Sequence, residues 1–245
     1  MDKLKICHLY PDLLNLYGDR GNIISLKKRL EWRGIGMDLT EISIGDKFSA
    51  SDYDIVFIGG GQDFEQEVLL ADLDDEKKKN ICSAVSNGVT FLAICGGYQL
   101  LGTHYKSWDG VQFDFTGALD IHTIGDKKRM IGDFMFSCSD NKIGGLIVSG
   151  FENHSGKTYL GENVRPLGRI LSGFGNNGED RTAGARFNNA FCTYSHGPVL
   201  PKNPKLSDYI LETALIHKYG DYRLKKLDDT IETNASDLII ERLAK

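Results

Sequence analysis

The chain has 245 residues, 41% of them apolar and 26% charged, with 29 basic and 34 acidic side chains and a formal net charge of −5 at pH 7. That balance is ordinary for a soluble globular protein, and no basic block points to nucleic acid or anionic lipid. The opening segment is too polar for a signal peptide, and no apolar run is long enough to span a bilayer, so direct membrane insertion is not expected.

The N-terminal half alternates strand and helix signals. Residues 5–10 form a short apolar run, and 21–33 carry Ile23, Leu26 and Leu30 at helical spacing with Gly34 as a stop. A strand pattern follows at 37–44 and a strongly apolar one at 53–58, which ends in Gly59-Gly60-Gly61. Residues 65–73 and 75–87 read as helices, Gly88 closes the second, and 90–94 is again a strand. This order predicts an α/β fold with a mostly parallel sheet flanked by helices. From about Gly117 short strand-like pieces (142–149, 167–171, 183–187, 189–194) are separated by glycine- and asparagine-rich turns, an antiparallel extension of the same unit. Helices at 204–219 and 235–244 close the chain, and with no repeat or linker the expectation is a single domain over 1–245.

The run Thr90-Phe-Leu-Ala-Ile-Cys95-Gly-Gly-Tyr-Gln-Leu-Leu-Gly102 is a strand that turns sharply into a helix with Cys95 at the apex. The glycines permit close approach and unusual backbone angles, and the start of a helix stabilises a thiolate. The plainer alternative is a buried cysteine at a strand end. The five cysteines are scattered, with no CxxC pair, which argues against a disulfide framework and a zinc site and for a reducing, cytoplasmic setting. In open α/β sheets, sites form beyond the carboxyl ends of the strands. Amide groups of the glycine triplet and of Gly96 could there face one point and form an oxyanion hole. The alternative for the triplet is a flexible turn, and no GxxxxGK[ST] loop exists to support phosphate binding. Of six histidines, His196 sits at a strand-to-loop junction before Gly197-Pro198 and leads as the base, His154 is next, and His217 falls inside a helix.

Three segments, Gly59-Gly-Gly-Gln-Asp63, Ala93-Ile-Cys95-Gly-Gly-Tyr-Gln-Leu-Leu-Gly102 and Tyr194-Ser-His196-Gly-Pro198, occur in this order. Together they resemble the cobyric-acid-synthase branch of the class I glutamine amidotransferases. The opening His8-Leu-Tyr-Pro-Asp-Leu-Leu-Asn-Leu-Tyr-Gly-Asp-Arg-Gly-Asn22 is similar to that of the free-standing glutaminase subunits of lipid II isoglutaminyl synthases. The resemblance implies that Cys95 attacks the side-chain amide of L-glutamine to give a γ-glutamyl thioester, with His196 as acid and base. It implies oxyanion N–H groups at Gly96 and at Gly60 or Gly61, and a substrate-binding role for Arg129, whose alternative is a solvated basic turn. Glu152 or Asn153 could help to shape the site. No cofactor or metal is implied. The implied partner is a MurT-type, Mur-ligase-like subunit in a heterodimer, which supplies the ATP and lipid II sites and takes the ammonia to amidate the D-glutamate α-carboxylate. Amidation of another acceptor such as a corrin, a non-catalytic binding module, and a cysteine hydrolase of γ-glutamyl or peptide bonds are the alternatives.

Two positions depart from the pattern. Ala93 stands where many class I amidotransferases have glycine, so it must keep an ordinary backbone conformation. Pro198 stands where the acid two residues after the histidine is usual, which leaves Asp19 and Glu152 as candidates for the orienting acid, or a Cys–His dyad.

Overall fold

The computed structural model describes residues 2–61 and 63–244, without the side chains of 63–67; Gln62 of the Gly59–Asp63 motif lies outside the described residues. In chain order the first elements are β1 (Lys3–Leu9), α1 (Arg20–Glu31), β2 (Gly36–Ile42), β3 (Ile55–Ile58), α2 (Asp63–Asp72), α3 (Asp75–Ser86), β4 (Thr90–Ile94) and α4 (Gly96–Leu100). Then come β5 (His104–Lys106), β6 (Gln112–Asp114), β7 (Ile121–Cys138), β8 (Ile147–Leu160), β9 (Gly168–Ser172), β10 (Thr182–Ala183), β11 (Ala185–Phe187) and β12 (Ala190–Thr193). Helices α5 (Val199–Lys202), α6 (Pro204–Tyr219) and α7 (Thr230–Leu243) complete the chain.

The first sheet has the order β11-β12-β4-β3-β1-β2. Strands β12, β4, β3, β1 and β2 are parallel, and β11 closes one edge antiparallel. The central strands are apolar along their whole length, as strands covered on both faces must be: every residue of β3, β4 and β12 is buried. The chain passes outward from β1 to β2 through α1 and returns to β3 on the other side of β1. That reversal opens a crevice beyond the carboxyl ends of β1 and β3.

The helices form where the apolar spacing places them. Ile23, Leu26 and Leu30 of α1 are buried as the pattern predicts. Asp74 caps α3 by accepting from the Lys77 amide at 2.8 Å. Pro204 opens α6, and Gly220 ends it at φ +86°. Helix α7 begins at Thr230, ahead of the predicted 235, and leaves Ile231 and Leu238 exposed.

The antiparallel extension is a second sheet of order β10-β9-β7-β5-β6, with β8 paired along β7. Its core is one long hairpin that the sequence patterns do not predict at this length: β7 has 18 residues and β8 has 14. A register shift between Gly125 and Met130 places Asp126-Lys-Lys128-Arg129 in an irregular stretch of β7, so the apparent basic turn interrupts a strand. On β8 the inward residues include Glu152, His154 and Thr158, all buried, so alternation of apolar and polar residues does not reveal the strand. The two sheets meet where β8 bridges to the segment after β12: the His196 amide donates to Phe151 O at 2.8 Å, and the Phe151 amide returns to His196 O at 3.3 Å. A Cβ on Gly150 would lie 1.8 Å from Ser195 Oγ, which explains glycine at that crossing.

Candidate active site

Four strand ends converge beyond the first sheet. β1 releases the loop that carries Asp19, β3 runs into the glycine triplet, β4 ends at Cys95, and β12 is followed by His196. Cys95 has φ +49° and ψ −104°, a conformation that non-glycine residues rarely adopt and that costs about 1–3 kcal/mol. The surroundings hold it there: its amide donates to Thr193 O at 2.9 Å, and its carbonyl accepts from the Gln99 amide at 3.0 Å. Ala93 is not among the positive-φ residues, so the strain falls on the cysteine itself. Gly97 fits because a Cβ there would lie 2.6 Å from Ile58 O. Helix α4 has only five residues, so the local amides rather than a long helix dipole are available to a charged sulfur.

His196 is fully buried beside Cys95. Its Nδ1 lies 3.3 and 3.4 Å from the two carboxylate oxygens of Asp19, also fully buried, and Nε2 has no hydrogen-bond partner among the described residues. Burial disfavours the charged ring, but the Cys95 sulfur and the Asp19 carboxylate outweigh it and push the His196 pKa up to about 10. Gly60 stands among the three. A Cβ there would lie 2.6 Å from His196 Cε1, 3.2 Å from Asp19 Oδ2 and 3.3 Å from Cys95 Cβ. Its amide donates to Asp19 Oδ2 at 2.8 Å, and its carbonyl accepts from the Leu16 amide at 3.1 Å.

This corrects one expectation. The Gly60 N–H is taken by Asp19 and is no oxyanion donor in this conformation, which leaves Gly61 and Gly96 as the candidates. The triplet serves close approach instead, since a Cβ on Gly59 would lie 2.0 Å from Leu14 O. Between the two acid candidates, the structure brings Asp19 to His196. Glu152 is buried elsewhere and accepts from the Phe174 and Gly175 amides at 2.6 and 2.9 Å. His154 stacks on Tyr194 with ring centroids 3.6 Å apart and bonds Gly156 O, so it serves the second sheet. His217 lies on α6 against Gly88. Arg129 is exposed on β7, its Nε donating to Asn153 Oδ1 at 2.8 Å. Below the elbow, Gln99, Tyr194, Thr158 and Thr123 form a buried chain of hydrogen bonds. The sequence reading misses Tyr17, whose ring lies edge-on to His196 with centroids 4.9 Å apart. Its one local signal is the Tyr17-Gly18 step inside the conspicuous opening segment.

Residues 5–204 match the family described as the CobB/CobQ-like glutamine amidotransferase domain. The chain belongs to this family. Across 99% of its length it is 39% identical to a Staphylococcus aureus (strain N315) protein named lipid II isoglutaminyl synthase (glutamine-hydrolyzing) subunit GatD, covering 97% of that protein. The Streptococcus pneumoniae (strain R6) protein of the same name is also 39% identical, over 96% of this chain and 90% of its own length. A probable cobyric acid synthase from Methanothermobacter thermautotrophicus is 30% identical over 83% of this chain but only 41% of its own length. The fold is that of solved amidotransferase-type structures from Thermotoga maritima: PurLQS at TM-score 0.59 and 16% identity, over 88% of this chain and 99% of that chain, and a glutamine amidotransferase at TM-score 0.52 and 13% identity, over 99% and 98%.

Two buried histidines of this glutamine amidotransferase, His196 and His8, make its stability depend on pH from both sides. His196, raised from 6.5 to about 10, contributes stability that is fully present below pH 6.5 and is lost as the pH rises through about 10. His8 shows the opposite shift. Burial, with help from Arg20 and against Asp12, lowers it from 6.5 to about 4, so its contribution is present above pH 6.5 and is lost as the pH falls toward 4. Denaturant midpoints measured from pH 4 to pH 10 are expected to fall on both flanks. His196→Gln flattens the alkaline flank and leaves the acid one.

Proposed function

We propose that the chain is the glutamine-hydrolysing subunit of a lipid II isoglutaminyl synthase. The observation that carries the chemistry is the strained, nearly buried Cys95 beside His196, with Asp19 on the far side of the imidazole. In this reading the Cys95 sulfur adds to the side-chain amide carbon of L-glutamine, and the amides of Gly61 and Gly96 receive the developing oxyanion. His196 takes the thiol proton and gives it to the leaving ammonia, forming the γ-glutamyl thioester. It then draws a proton from water, whose oxygen attacks the thioester, and glutamate departs as the sulfur regains its proton. Asp19 keeps Nδ1 protonated, so that Nε2 is the nitrogen that accepts. Arg129 holds the substrate.

Released ammonia must meet an activated carboxylate, and the chain has no GxxxxGK[ST] loop for nucleotide. The acceptor chemistry therefore belongs to a MurT-type, Mur-ligase-like partner that binds ATP and lipid II and forms D-isoglutamine. The near full-length similarity to the two GatD subunits favours lipid II over a corrin acceptor, because the cobyric acid synthase relative is matched over less than half its length. No helix among the described residues is long and apolar enough to cross a membrane, so on this reading a cytoplasmic subunit approaches the bilayer through the lipid substrate. The test is peptide-mapped labelling with a diazo-ketone glutamine analogue, with and without a co-expressed MurT-type ligase. One adduct on Cys95, suppressed by excess glutamine, is expected, together with a stable complex. Absence of the adduct even with the ligase present would overturn the glutaminase assignment, and absence of the complex would overturn the acceptor.

A further inference from the structure

The loop between β1 and α1 carries a second side chain to the site besides Asp19. Tyr17 has φ +54° and ψ +27°, a left-handed conformation in which a tyrosine is strained, and it follows Leu16, whose amide is tied to Gly60 O. The backbone is thus held in an unfavourable state that directs one side chain. The ring meets His196 at an interplanar angle of 67° and Phe151 at 65°, with centroids 4.9 and 5.9 Å away. Tyr17 is 42% exposed, whereas His196 is 0% and Cys95 6% exposed, so the tyrosine forms the outer layer of the site. Its hydroxyl accepts from Asn153 Nδ2. Asn153 in turn receives Arg129 twice, Nε on Oδ1 at 2.8 Å and Nη2 on the backbone carbonyl at 3.3 Å. Base, tyrosine, amide and guanidinium form one connected series across the two sheets.

We propose that Tyr17 is a positioning residue for glutamine hydrolysis: it fixes the His196 imidazole from the solvent side and couples it, through Asn153, to Arg129. The proposal rests on the glutaminase reading above. Three groups then hold the imidazole: Asp19 at Nδ1, Gly60 at the Cε1 edge and the Tyr17 ring. A substrate group that draws on Arg129 acts on the Asn153 amide that anchors the tyrosine hydroxyl, so filling the arginine end bears on the base.

The experiment is the kinetics of Cys95 labelling by the diazo-ketone glutamine analogue in the full chain, for wild type, Tyr17→Leu, Tyr17→Phe, Arg129→Lys and the Tyr17→Phe/Arg129→Lys pair. Tyr17→Leu removes the ring and is expected to slow the maximal inactivation rate about tenfold, an effect on rate beyond the change in inhibition constant that it shares with Tyr17→Phe. Tyr17→Phe keeps the ring and loses one hydrogen bond, so the inhibition constant is expected to rise about threefold, with no further rise when it is added to Arg129→Lys. A folded Tyr17→Leu protein with the wild-type maximal inactivation rate would overturn the positioning role. Additive effects in the double variant would overturn the coupling, and this arm decides the matter if Tyr17→Leu does not fold. A wild type that takes no label fails at the glutaminase reading itself, whereas a labelled wild type with unaffected variants fails only at Tyr17.

Discussion

Cys95→Ala is expected to abolish glutamine hydrolysis, with a loss of about 10⁴-fold or more in ammonia release and no adduct with a glutamine analogue. The other four cysteines do not substitute. Cys7, Cys138 and Cys192 lie in the core, where burial pushes the Cys7 and Cys138 thiols up to about 12 and Cys192 higher still, and Cys82 is also raised by burial as its sulfur donates to Thr116 O. Cys95 alone combines the apex of the strand-to-helix turn with His196. The same substitution series reads the backbone strain. Alanine retains the cost of φ +49°, whereas Cys95→Gly relieves it and is expected to be more stable than Cys95→Ala by about 1 kcal/mol in urea denaturation. A Cys95→Ala protein that still released ammonia would place the chemistry elsewhere in the chain.

Asp19→Asn is expected to lower glutamine hydrolysis by about 10²–10⁴-fold while the protein stays folded. Asp19 uses its carboxylate twice, toward His196 Nδ1 and toward the Gly60 amide. Asparagine has one oxygen, and if that oxygen keeps the Gly60 amide, its NH₂ group faces Nδ1. The ring then adopts the tautomer with the proton on Nε2, which cannot accept one from Cys95. Gly60→Ala tests the same spacing from the other side, because the added methyl displaces His196 Cε1 from 2.6 Å, and it too is expected to cost about 10²-fold. Ammonia release across pH 6–10 measures both. An Asp19→Asn enzyme with wild-type turnover would mean that the cysteine and histidine act as a pair without an orienting acid.

The parallel sheet was legible because its strands are continuous apolar runs and its helices carry apolar residues at regular spacing, as in α1 and β4. Cys95 and His196 were legible because each stands at the end of such a run. Asp19 could only be shortlisted, since it lies 177 residues from His196 and the loop that delivers it has no periodic pattern. The glycine triplet was visible, but which atoms its missing side chains make room for was not. The β7–β8 hairpin was hidden because β8 turns Glu152, His154 and Thr158 inward, where Glu152 and Thr158 hydrogen-bond to residues remote in sequence and His154 stacks on Tyr194. Tyr17 was hidden for the reverse reason, an aromatic residue in a loop with nothing beside it to mark its target.

The acid and the base meet through a long contact, 3.3 Å at its nearest. Their spacing is set one step away, where α1 begins and α5 begins. Gly21 lies against Pro198, where a Cβ would come within 2.4 Å of the proline Cγ, and Asn22 Oδ1 accepts from the Leu200 amide at 2.9 Å. Each contact falls two to four residues from Asp19 on one side and from His196 on the other. On the proposed mechanism, the geometry of proton transfer is thus set by a joint between two helices rather than by the acid–base contact itself.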